Sequence, residues 1–83
     1  MKVSVKYFAS IRETIGLGRE TVDTAAQTLG ALRDELIARG GAYSLALARG
    51  KTLRVALDQV MADEAAGLGE GAEVAFFPPV TGG

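Results

Sequence analysis

Cysteine, histidine and tryptophan are absent from these 83 residues. Without cysteine there can be no disulfide framework and no thiol nucleophile, and nothing in the chain points to an oxidising compartment. Without histidine the chain lacks the side chain that most often moves protons or binds metal near neutral pH. No acidic cluster stands at metal-ligand spacing either, so no metal site is expected. No apolar run approaches the ~20 residues of a membrane span. The opening Met1-Lys2-Val3-Ser4-Val5 is too polar for a signal-peptide core, so a cytoplasmic location without membrane association is the expectation. Net charge is small as well, nine basic residues against ten acidic ones giving −1. Lys2, Lys6, Arg12, Arg19, Arg33, Arg39, Arg49, Lys51 and Arg54 are scattered among acids instead of forming a basic stripe. They read as a solvated mixed surface, and no nucleic-acid partner is expected.

What is present suffices for one small domain. Hydrophobic residues make up 48% of the chain, and ordinary apolar packing must supply the whole of a modest core. Residues 2–8 alternate, with Val3, Val5 and Tyr7 on one face and Lys2, Ser4, Lys6 and Phe8 on the other, the period of a half-buried strand. Ala9 to Ile15 can form two helical turns, with Ser10 as N-cap and Gly16 as the stop. Gly16-Leu17-Gly18 turns the chain into a second strand, Arg19 to Thr24. The clearest helix runs from Thr28 to Arg39: Leu29, Leu32, Leu36 and Ile37 form one stripe, Thr28 suits the N-cap, and Arg39 suits the last turn. A short helix is expected within Ala42 to Arg49.

Next comes a strand with Leu53, Val55 and Leu57 inward and Arg54, Ala56 and Asp58 outward. Asp58-Gln59 makes a turn, and Glu73 to Phe77 the last strand, which Pro78 and Pro79 prevent from continuing as a central strand. The order strand, strand, helix, strand, short strand, strand suits an α+β layer architecture in which one main helix covers a mixed sheet. The β-grasp, or ubiquitin-like, arrangement fits it best. Residues 1–77 then form the domain and residues 78–83 an extended C-terminal tail.

That tail, Pro78-Pro79-Val80-Thr81-Gly82-Gly83, holds the best candidate for chemistry. An α-carboxylate is inert in water, but adenylation by ATP makes it a mixed anhydride that a sulfur nucleophile or an amine can attack. The end must then enter another protein's active site. Gly82 and Gly83 carry no Cβ to clash with a narrow passage, and the prolines hold the preceding segment extended. From Pro78 to Gly83 the reach is on the order of 15–20 Å. A terminal Gly-Gly alone is common among frayed ends; joined to a β-grasp pattern and preceded by Phe76-Phe77-Pro78-Pro79-Val80-Thr81, it is a far more specific signal.

On these residues the chain resembles the MoaD family, the small sulfur-carrying subunits of molybdopterin synthase. The resemblance runs through Tyr7-Phe8-Ala9, Arg12-Glu13, Gly16, Thr28, Leu32-Arg33, Ala56-Leu57-Asp58-Gln59 and Glu70 to Ala75, and is strongest over Phe76 to Gly83. Asp58 replaces the family's usual Asn, and Ala72 replaces an acid common in that turn. The resemblance implies that Gly83 is adenylated by a MoeB-like, ATP-dependent activating enzyme and converted to a thiocarboxylate. Pro78, Pro79, Val80, Thr81 and Gly82 then insert into a MoaE-like large subunit, the two forming a heterotetramer. There the sulfur passes to cyclic pyranopterin monophosphate, two carriers being consumed for each dithiolene. The domain itself would bind no cofactor, ATP being used by the activating enzyme, and the active site would lie on the large subunit.

The alternation also suggests a partner surface. If Val74 and Phe76 point inward, Ala75 and Phe77 point outward beside Phe8, with Met61 close by. Exposed aromatics and an adaptable methionine suit a docking patch; the same rings could instead cover a secondary core under a loop. Asp63-Glu64 reads as a solvated loop, Arg12-Glu13 as a helix-surface pair or a strand-end contact, and Gly67 to Gly71, without the lysine of a phosphate loop, as a turn. Other readings stay open: a sulfur carrier for thiamine, cysteine or tRNA thiolation, a protein modifier ending in an isopeptide bond, and a scaffold without covalent chemistry.

Overall fold

A computed structural model describes residues 1–79. Five strands form one sheet in the order β2-β1-β5-β3-β4. They are β1 (Lys2–Tyr7), β2 (Arg19–Asp23), β3 (Arg54–Leu57), β4 (Val60–Ala62) and β5 (Glu73–Phe77); the helices are α1 (Ala9–Ile15), α2 (Leu29–Ile37) and α3 (Gly41–Ala46). β1 and β5 run parallel, with Ser4 opposite Glu73 and Tyr7 opposite Phe76, while β1–β2, β3–β5 and β3–β4 are antiparallel. This mixed sheet under helices is the α+β arrangement of the ubiquitin-like β-grasp.

One face of the sheet meets the helices, and β1 alternates in burial accordingly. Val3, Val5, Tyr7, Val22, Val55, Val74 and Phe76 line that face, and Leu29, Leu32 and Leu36 of α2 press against it. Those three leucines are completely buried, each stabilising the fold by roughly 1.5–3 kcal/mol. Thr28 caps α2, its Oγ1 accepting from the Ala31 amide at 3.1 Å. Gly30, on the same helix, allows a close approach: its amide donates to the Glu64 carbonyl at 2.9 Å, and a Cβ there would come within 3.1–3.2 Å of Glu64 atoms.

Several local expectations are corrected. Phe8, not Ser10, occupies the N-cap of α1; its carbonyl accepts from the Ile11 and Arg12 amides, and Ser10 already lies inside the helix. α2 ends at Ile37, since Arg39 and Gly40 make tighter turns back to Leu36 and Ile37 and Gly40 adopts φ 78°. Arg39 is therefore outside the last helical turn, and its guanidinium sits 4.8 Å above the Tyr43 ring. α3 closes at Ala46, short of Arg49. Arg33 is no surface cation: it is 3% exposed, and its guanidinium donates to the carbonyls of Leu47, Ala48 and Lys51 and to Glu64 Oε2 at 2.7 Å. Glu64 also pairs with Arg49, which reaches Asp34 at 2.8 Å. The expected solvated loop at Asp63-Glu64 is thus an ion-pair hub, because Arg33 buried without that carboxylate would keep an uncompensated charge.

A second polar centre joins β1, β2 and the helices. Glu20 accepts from the hydroxyls of Tyr7 at 2.8 Å and Tyr43 at 2.6 Å, and from Arg39 at 3.1 Å. Partial burial works against the Glu20 charge, but these three donors outweigh it and hold the carboxyl below its ordinary value. Burial, reinforced by the hydrogen bond to Glu20, pushes the Tyr7 hydroxyl well above the usual tyrosine range.

The direction of the Glu20 shift sets an acid dependence. A folded-state pKa below the unfolded one gives stability that is complete above the ordinary value of 4.5 and is lost as pH falls through the folded pKa. Glu20→Gln should remove that component, flattening the stability profile as pH falls below the ordinary value of 4.5 in urea titrations; an unchanged acid slope would contradict the assignment. Arg33→Met, which strips donors from Glu64 and the carbonyls it serves, should cost about 2–4 kcal/mol in the same titrations. A loss under about 1 kcal/mol would show the cluster to be a surface ornament.

Candidate functional site

β5 is a central strand, bonded to β1 on one side and β3 on the other. It stops at Phe77 because Pro78, the next residue, has no N–H to give either neighbour. Since β1 and β5 are parallel, both finish at the same edge of the sheet. Phe8 therefore emerges beside Phe77, and the Phe8 amide donates to the Phe76 carbonyl at 3.2 Å. The two rings stack with centroids 4.6 Å apart and planes 9° from parallel.

Immediately after Phe8 the chain reverses into α1 through Ala9, whose φ of 50° is left-handed. A non-glycine residue pays on the order of 1–2 kcal/mol for that conformation. The bend turns the backbone away while leaving the Phe8 ring on the outer face of the sheet.

Met61 joins this face through the β3–β4 hairpin, where it lies opposite Ala56. The hairpin turn Asp58-Gln59 has positive φ at both residues, 50° and 70°, the twist that two-residue hairpins require. Asp58 supports it locally: its carboxylate accepts from the Glu73 amide at 3.0 Å. Asp in place of the resembled family's Asn thus keeps a backbone bond here. Phe8 is 39% and Met61 55% exposed, so both present real area to solvent. Phe77 is half-buried.

Ala56 and Ala75 face away from the helices, as the alternation requires, yet they are 5% and 6% exposed. They point outward as expected, and floor a groove whose walls include Lys6, Phe8, Met61 and Phe77. Small floor residues between large walls give the outer face an apolar layer separate from the main core. Lys6 and Glu73 form an ion pair of 3.4 Å beside it. A neighbouring groove of about 460 Å³ holds Phe8, Met61, Phe77, Pro78 and Pro79 together with Arg54.

Of the residues singled out in the sequence, then, Phe8, Met61, Phe77, Pro78 and Pro79 lie together. Val80, Thr81, Gly82 and Gly83 lie outside the described residues. Nothing in the identity of Ala9 announces its left-handed bend. In the sequence Arg54 is one more outward cation, yet its register opposite Phe77 places it at the end of β5. Among the described residues, no group of three or more acidic side chains is placed to hold a metal ion, and no helix is long and apolar enough to cross a membrane.

A mixed five-stranded sheet wrapped on a helix, with an apolar outer face beside the end of its last strand, defines a ubiquitin-like β-grasp protein. The chain belongs to the ThiS family, whose model matches residues 5–83. It is 41% identical over 81 residues to a protein of Escherichia coli named molybdopterin synthase sulfur carrier subunit, covering 98% of this chain and 99% of that one. A protein of the same name from Haemophilus influenzae is 40% identical over 81 residues, with the same coverage. Among solved structures, SAMP1 from Haloferax volcanii superposes with a TM-score of 0.78 at 27% identity, each chain fully covered. A chain from the complex of subunits 1 and 2 of molybdopterin-converting factor from Helicobacter pylori gives 0.67 at 27% identity, again with full coverage.

Proposed function

We propose that this chain is the sulfur carrier subunit of a molybdopterin synthase, with its last glycine as the loading point and the Phe8–Phe77 face as its docking surface. The observation that carries the reading is the 41% identity to a carrier of that name along 98% of the chain. The geometry supports it, because the exposed aromatic pair lies where β5 hands over to the prolines. The complex of subunits 1 and 2 whose chain superposes here supports a large-subunit partner.

The chemistry is that of an acyl group. The Gly83 carboxylate attacks the α-phosphorus of ATP on a separate activating enzyme, pyrophosphate leaves, and an acyl adenylate results. A persulfide sulfur derived from cysteine displaces AMP to give an acyl disulfide, and a second thiol cleaves its S–S bond, itself becoming a disulfide, to leave a thiocarboxylate. On the large subunit, which supplies the active site, that sulfur forms a C–S bond to the pterin precursor as a C–O bond at the same carbon breaks, the oxygen leaving on phosphate or as water. Water then cleaves the remaining acyl–sulfur bond and restores the carboxylate. The chain contributes position, not proton transfer: its tail must thread the passage, and the absence of cysteine leaves no internal thiol to intercept the cargo. Adenylation needs ATP, and the proposed setting is the cytoplasm.

A modifier reading is favoured by one observation, the full-length superposition on SAMP1, whose name stands for small archaeal modifier protein 1. It predicts higher-mass conjugates on denaturing gels, which a sulfur donor would not leave.

Deleting Gly83 should abolish dithiolene formation in an assay reconstituted with activating enzyme, sulfur source and large subunit, while the thermal midpoint stays unchanged. Retained synthesis would refute the loading point. Phe77→Ala should weaken large-subunit binding by roughly tenfold or more, as loss of an aromatic anchor does, with the fold intact. Unchanged affinity would remove the aromatic face from the docking surface.

A further inference from the structure

Among the described residues, Arg54 is the one cation lining the groove that holds Phe8, Met61, Phe77, Pro78 and Pro79, and no Asp or Glu of theirs lines it. It lies opposite Phe77 in the β3–β5 register, so both side chains project from the outer face at the end of β5. Its side chain is exposed, and among the described residues it makes no ion pair. Asp63 and Glu64 line the groove on its other side but have other engagements. Glu64 is held by Arg33 and Arg49, and Asp63 accepts from the Ala65 amide at 2.8 Å. On the opposite side of the prolines another groove contains Lys51 and, among the described residues, again no acid. In a chain of net charge −1, the described residues around Pro78 and Pro79 are therefore locally positive.

We propose that Arg54 is a specificity-determining contact of the docking surface, pairing with a carboxylate on the rim of the large subunit's apolar receiving site. The inference rests on the docking reading above. In the free carrier the guanidinium is solvated and costs nothing. Docking of an apolar partner onto Phe8, Met61 and Phe77 removes water from around Arg54, and a charge so stripped is strongly penalised unless an opposite charge meets it. A partner with a carboxylate there is accepted; an equally apolar partner without one is rejected, so the same residue selects for one surface and against others. Arginine suits the task because its planar fork engages a carboxylate with two parallel hydrogen bonds. The same charge draws an acidic rim toward the tail before contact, raising the association rate at low salt.

The test is association kinetics between the purified full-length carrier and the large subunit from the same genome, at low and near-physiological salt. Arg54→Glu should bind about tenfold or more weakly at low salt, with slower association and faster dissociation, and Arg54→Lys, which keeps the charge but loses the fork, should associate at close to the wild-type rate and dissociate faster. Added salt should slow the wild type more than Arg54→Glu, and all three should melt alike. If Arg54→Glu binds within about twofold of wild type while Phe77→Ala still binds weakly, the docking reading stands and the role of Arg54 falls. If wild type itself does not bind the large subunit, both are overturned.

Discussion

The parallel pairing of β1 with β5 at the sheet centre sets where everything else on the functional face can be. Parallel strands finish at the same edge, so the residue after β1 and the last residue of β5 must become neighbours. Here those residues are Phe8 and Phe77, and their stacked rings mark the place where the chain departs into Pro78. An antiparallel pairing would have sent the two phenylalanines to opposite ends of the sheet. The central position of β5 matters equally. A strand bonded on both sides gives the tail a rigid base, so a pull on the tail is resisted by two ladders of hydrogen bonds.

The two faces of that sheet divide the labour. The inner face carries the stability, through Leu29, Leu32 and Leu36 against Val5, Tyr7, Val74 and Phe76. The polar clusters lie on the helical side too: Arg33 with Glu64 and Arg49 fastens α2 to the loops around Lys51 and Glu64, and Glu20 fastens Tyr7, Arg39 and Tyr43. The outer face holds a thin apolar layer over Ala56 and Ala75, with Met61 and Phe8 left in solvent. Partner contact can change that outer layer without disturbing the groups that keep the domain folded.

Much of this was legible in the residues. Alternation placed Val3, Val5 and Tyr7 inward, and the leucine stripe with its Thr28 cap located α2, because burial on one face imposes periods that side-chain identity exposes. The prolines ended β5 for the same kind of local reason. What escaped depended on distance. Arg33 looks like any helical surface cation until the carbonyls of Leu47, Ala48 and Lys51 converge on it from a segment far along the chain. Glu64 gained its role only from that burial. Alternation reports that Ala56 and Ala75 point outward, whereas their burial comes from larger neighbours on adjacent strands. Arg54 carried no signal of its own; only register opposite Phe77 gives it significance.

The account's central claim is that cargo travels on the carbonyl of Gly83, and the most direct test is the intact mass of the protein isolated from its own host, before and after treatment with a thiol-directed alkylating reagent. With no cysteine in the chain, only a thioacid offers the reagent a ready sulfur anion. The account predicts a fraction heavier by the difference between one sulfur and one oxygen, which takes up a single alkyl group at its C-terminal fragment. A protein that carries no alkylatable sulfur, even when the large subunit is deleted so that cargo cannot be discharged, would contradict it.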